Sequence, residues 1–149
     1  MTGFEDQILV ALPHLSARLG DVLHTLVLKP GSMHSAAKVA RSIGLSSRFA
    51  LARRMRREGL PALHQLAAWL RVLGWVTDAE HGTESLFMIA TQSDKHPAAC
   101  YRTVKRLTGL TWMELRALGT SGALRLFLRR CAAIRLAGPS RGLEVVKGR

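Results

Sequence analysis

Ser35 to Gly59 reads SAAKVARSIGLSSRFALARRMRREG, and the order of small, apolar and basic residues in it predicts a short helix, a glycine turn and a second helix. Val39 and Ala40 close the first helix. Ala40 is small enough for a second helix to cross closely, and Gly44, four residues on, tolerates the positive φ of a tight turn. Ser46 or Ser47 then caps the second helix. A hydroxyl there accepts from the free N–H groups of the next first turn, so that helix is expected to begin near Arg48. This is a helix-turn-helix pattern, of the kind that presents its second helix to a major groove.

The composition fits such a reading. With 149 residues, 48% of them hydrophobic, the chain can build one globular domain or two small ones sharing a helix. The 22 Lys and Arg against 10 Asp and Glu leave a net charge of +12, which asks for an acidic partner, nucleic acid first among them. The charge is sorted along the chain: Arg41, Arg48, Arg53, Arg54, Arg56 and Arg57 gather in the opening stretch, whereas Asp78, Glu80 and Glu84 gather later. No apolar run approaches the roughly 20 residues of a membrane span, and the acidic start MTGFEDQ is unlike a secretory signal, so a cytoplasmic location is expected. Cys100 and Cys131 lack metal-ligand or redox spacing and are expected as reduced thiols.

Outward from the opening stretch, the apolar residues Ile8, Leu12, Leu15, Leu19, Val22 or Leu23, and Leu26 recur at helical spacing. Pro13 is expected in the first turn of that packing helix, which Lys29-Pro30-Gly31 ends. Downstream, Leu60-Pro61 opens a long helix, Gly74 weakens its end, and residues 77–84 form a polar, acidic loop. Ser85 caps a short helix to Gln92, a second turn comes next, and Pro97 opens a basic helix to about Thr108 with Gly109 just past its end. Thr111 and Glu114 make a capping box that starts a short closing helix to Leu118. A last amphipathic pattern runs on from Gly119, Gly138-Pro139 stops it, and residues 140–149 are expected as a flexible tail. With no strand signal, the fold class is all-α: two helix-turn-helix subdomains joined by a long linker helix, with extra N- and C-terminal helices. The segments expected are 1–31, 32–76, 77–118 and 119–149.

Two helix-turn-helix units in this order carry a resemblance. SLFMIA followed by YRTVKRLTGLTWMELR resembles the C-terminal signature of the AraC/XylS transcription regulators, where a second recognition helix runs into a TGLTP-type turn; VARSIGLSSRF resembles that family's first motif. Together they cover roughly residues 10–118. The resemblance implies a DNA-binding domain whose two recognition helices enter adjacent major-groove segments, about 34 Å apart on one face of the duplex. The family's ligand-sensing domain has no counterpart before the first unit, so control through abundance or a protein partner is expected.

The same resemblance points to Arg48 as a base-facing residue able to fork onto guanine N7 and O6, with a phosphate contact as the plainer alternative. Ser47 and Leu51 share its side, and Leu51 either meets a thymine methyl or packs inside. In the second unit Arg102 matches the family's base-facing arginine, with Lys95, His96 and Ala98 at the helix start. Arg53, Arg54, Arg57, Lys105 and Arg106 read as phosphate neutralisers or as a solvated charged face. His96 and Cys100 stand four apart, yet a metal needs three or four ligands, so no metal and no cofactor are expected. Nothing resembles a nucleophile with its base or paired carboxylates, and no enzyme is expected. The partners expected are double-stranded DNA and, beside it, RNA polymerase or another protein; no membrane; the chain a monomer or homodimer. Nonspecific nucleic-acid binding and a repurposed protein-interaction module are the rival readings.

Overall fold

The computed structural model describes residues 3–28, 35–82, 85–92 and 96–147, and among them every regular element is an α-helix. In chain order these are α1 (Phe4–Ala11), α2 (Ala17–Leu28), α3 (Ala36–Ser42), α4 (Arg48–Arg57), α5 (Leu63–His81), α6 (Leu86–Gln92), α7 (Pro97–Thr108) and α8 (Trp112–Lys147). The chain forms two compact units, one of residues 1–67 and 128–149, the other of residues 68–127, so the unit boundaries fall inside α5 and α8.

In the first unit α1 packs on α2 and α3 on α4. Ile8, Leu19, Leu23, Leu26, Ala40, Leu51 and Met55 are buried, each large aliphatic side chain contributing about 1.5–3 kcal/mol by leaving water. The helix ends are closed by local chemistry. Ser35 Oγ accepts from Lys38 N at 3.4 Å, and Ser47 Oγ from Ala50 N at 3.1 Å. Gly44 has φ 81°, and the turn it makes returns the Leu45 N–H to the Ala40 carbonyl at 2.9 Å. Pro13 does not open α2. It lies in the turn after α1, and α2 begins at Ala17 because Ser16 Oγ accepts from Leu19 N at 3.3 Å. Lys29-Pro30-Gly31 lies outside the described residues.

Glu58, at the end of α4, ties the unit together. Its carboxylate accepts from Ser16 N at 2.6 Å and from Arg54 Nε at 2.5 Å. Its backbone carbonyl lies 2.9 Å from His14 Nε2, while His14 Nδ1 lies 2.9 Å from Arg135 Nη1. A carbonyl only accepts and a guanidinium only donates, so this ring carries its proton on Nε2.

In the second unit α6 packs on α7, around Leu73, Leu86, Ile89, Ala90, Val104 and Leu115. Trp69 and Phe127 meet at 5.6 Å between ring centroids in a tilted pair, an arrangement worth about 0.5–1.5 kcal/mol beyond its area. The second unit and the helices that enter it depart from the sequence reading in three places. Pro61 is buried ahead of α5 instead of starting it. α5 then passes through Gly74 and the expected loop to His81, because Trp75, Val76 and Ala79 continue its apolar stripe, Ala79 only 3% exposed. α8 runs through the expected stops at Leu118 and Gly138-Pro139, so residues 140–147 are helical. Its regularity is nevertheless broken where the first stop was expected. Gly119 has φ 72°, and Glu80 Oε2 accepts from Thr120 N at 3.0 Å and from the Thr120 hydroxyl, capping the helix as it resumes. Those two bonds, the hydroxyl's first, hold the Glu80 carboxyl below its ordinary range.

Candidate nucleic-acid interface

Each unit presents one basic helix with a clean exposed face. At 3.6 residues per turn, about 100° per residue, the buried pair Leu51 and Met55 fixes the facing of α4: Phe49, Ala52, Arg53, Arg56 and Arg57 occupy the opposite arc, and Arg48, in the first turn, flanks the buried stripe, all six exposed. That arc carries three guanidinium groups, with Arg48 a fourth beside it, and no carboxylate. The one acid nearby, Glu58, is turned toward Ser16 and Arg54. Burial alone would raise its carboxyl, but the Ser16 N–H, the Arg54 guanidinium and the remaining bonds outweigh burial and hold it below the usual value. Three arginines in the last turn also lie where the helix dipole favours cations.

On α7 the buried pair is Cys100 and Val104, and Ala98, Tyr101, Arg102, Lys105 and Arg106 share the exposed arc. Pro97 occupies the first turn, with His96 as an exposed N-cap that makes no side-chain cap bond. Gly109 ends the helix at φ 75°, its N–H on the Lys105 carbonyl at 2.8 Å, and Lys105 Nζ donates to the Gly109 carbonyl at 3.1 Å. The capping box after it is formed: Thr111 N donates to Glu114 Oε1 at 2.9 Å and Glu114 N to Thr111 Oγ1 at 3.2 Å.

Among the residues expected at DNA, Arg53 and Arg57 come together on one face of α4, with Arg48 exposed to one side of it in the first turn, and Ala98, Arg102, Lys105 and Arg106 share a face of α7. His96 stands exposed at the head of α7. Three placements narrow the sequence reading. Leu51 is 1% exposed and belongs to the core, so it meets no thymine methyl. Ser47 is half-buried with its hydroxyl engaged in the cap. Arg54 is half-buried and paired with Glu58, which removes it from the phosphate-facing set. Lys95 lies outside the described residues. Phe49 and Arg56, which the sequence reading passed over, sit at the middle of the α4 arc. Their place follows from the burial of Leu51, which the spacing leaves open and which puts Phe49 about 200° away on the helix.

Other chemistry is thinly represented. Among the described residues no group of three or more His, Cys, Asp and Glu gathers in metal-holding geometry, and no helix is long and apolar enough to cross a membrane. Cys100 and Cys131 are buried and form no disulfide, and burial pushes the Cys131 thiol up to about 12, too high for a nucleophile. No protein-family model, no curated protein and no solved structure matches the chain.

Proposed function

We propose that this chain is a sequence-specific DNA-binding transcription regulator of the AraC/XylS type, acting through α4 and α7 in adjacent major-groove segments. One observation carries the reading. A short helix packed on a basic helix occurs twice in the same order, α3 with α4 and α6 with α7, and the exposed arc of each basic helix is free of carboxylates. An acid-free arginine arc suits a phosphate backbone, where each neutralised phosphate releases counterions and makes binding steeply salt-dependent. On this reading the arginines toward the end of α4, Arg53, Arg56 and Arg57, meet phosphates, while Arg48 and Arg102 meet base edges. Double-stranded DNA is the partner; no metal or cofactor is needed for this role.

The test is selection from random duplexes by the purified full chain, with titration at two salt concentrations afterwards. A single enriched site of about 15–20 base pairs is expected, bound about a thousandfold or more above random duplex. Arg102→Ala should then relax preference at one base pair at a cost of about 1–3 kcal/mol, whereas Arg57→Ala should weaken all sequences alike. Binding with no enriched motif would reduce the function to nonspecific association. Absence of binding at low salt would remove DNA as the partner.

A further inference from the structure

We propose that Phe49 is a specificity-determining residue of α4, reading the 5-methyl group of a thymine beside the base held by Arg48; this rests on the DNA-binding role proposed above. Three observations lead there. Phe49 is 61% exposed on a helix whose other exposed positions are arginines and one alanine. An aromatic ring in water at the middle of a cationic arc is not explained by solubility or by the core, since Leu51 and Met55 already supply the packing face. Second, Phe49 is the second residue of α4, and Ser47 pins that end of the helix through its bond to Ala50 N. The first residues of a recognition helix are those that reach base edges, whereas later turns run out along the backbone.

Third, the ring is already arranged. The Arg48 guanidinium carbon lies 4.9 Å from its centroid, over one face, in a cation–π contact that restrains both side chains before any ligand arrives. The ring also helps wall an apolar cleft of about 290 Å³ together with Leu51, Met55 and Leu63. A guanidinium and an aromatic ring held side by side match a guanine next to a thymine. The guanidinium finds the N7 and O6 acceptors, and the ring finds the methyl, the one apolar group that distinguishes thymine in the major groove. Ala52, further along the same arc, adds a small apolar surface and leaves room for the bases to approach.

The experiment uses the site enriched by selection, with each thymine in turn replaced by deoxyuridine. That change deletes the methyl and leaves every hydrogen-bonding group in place. Wild-type chain should lose about fourfold in affinity at one thymine, adjacent to a guanine, which is what withdrawing one methyl from an apolar contact is worth. Phe49→Ala should bind the thymine and deoxyuridine forms equally, and Phe49→Leu should keep most of the discrimination. Folding of both variants is verified by helical circular dichroism. An enriched motif at which Phe49→Ala discriminates thymine from deoxyuridine as well as wild type does would overturn the assignment while leaving the DNA-reading function standing. Selection that enriches no motif overturns both. Weakening of thymine and deoxyuridine sites alike by Phe49→Ala, with the discrimination kept, would assign the ring to general packing or to a protein partner instead.

Discussion

The two basic helices are alike in charge and unlike in what holds them. α7 is positioned at both ends by its own neighbourhood: Pro97 in its first turn, the left-handed Gly109 after its last, and Lys105 on the Gly109 carbonyl. α4 is capped locally by Ser47, but its far end is moored over long sequence distances. Glu58 reaches Ser16, and the Glu58 carbonyl receives His14 from the turn after α1. The composition differs in the same sense. Five of the ten residues of α4 are arginine, so the helix offers many possible outer faces, whereas α7 has one apolar stripe and one polar side. A helix specified by its own sequence can be faced correctly from that sequence. One specified by distant partners cannot.

The largest expected effect tests which face of α4 is inside. Leu51→Ala should destabilise the protein by about 2–5 kcal/mol, the range for truncating a fully buried leucine whose cavity only partly collapses. Truncation at an exposed position of the same helix, Arg53→Ala, should stay within about 0.5 kcal/mol. Urea unfolding of both variants checks the pair. Equal, small effects would mean that α4 is rotated and that Leu51 faces out after all, which would undo the contrast with α7.

A smaller effect separates the turns behind the two helices. Gly59 and Gly109 each come just after a basic helix and each has positive φ, 83° and 75°. An added Cβ at Gly109 meets nothing within 4 Å, so Gly109→Ala carries only the left-handed backbone penalty, about 1–2 kcal/mol. At Gly59 the same carbon would lie 3.1 Å from the Arg135 Cβ and 3.3 Å from the Cys131 carbonyl oxygen, which cannot move without shifting α8. Gly59→Ala should therefore lower the melting temperature by clearly more than Gly109→Ala does. The reverse order would show that α8 is not held against that turn.

Legibility in the sequence divides along the same line between local and distant causes. The starts of α4, α6 and α7 and the ends of α4 and α7 coincide with Ser47, Ser85, Pro97, Gly59 and Gly109, because caps and left-handed turns act within four residues. The continuation of α5 to His81 was not legible. Thr77, Asp78 and Glu80 look like loop chemistry, and it is Thr120, forty residues away, that donates hydrogen bonds to Glu80. The second candidate face emerged as expected from the spacing of Ala98, Arg102 and Lys105. The first did not, since the role of Arg54 depends on Glu58 and that of Glu58 on Ser16, and Phe49 comes into view only once Leu51 is known to be buried.

The smallest expected effect asks whether the mooring of α4 is electrostatic. Glu58 is held below its ordinary value in the folded chain, so its contribution is present above the ordinary carboxylate range, near 4.5, and is lost as pH falls through its lowered folded value. Glu58 accepts from Ser16 on Oε1 and from Arg54 on Oε2, so Glu58→Gln keeps an acceptor for one of them and loses both the other bond and the charge assistance, a cost of about 1 kcal/mol at pH 7. The stability gap between wild type and variant should narrow in urea titrations as pH falls below about 4.5, the ordinary carboxylate value. A gap of constant size would assign the mooring to shape and hydrogen bonding alone. A gap that closes would make α4, unlike the locally held α7, the basic helix whose anchoring responds to acid.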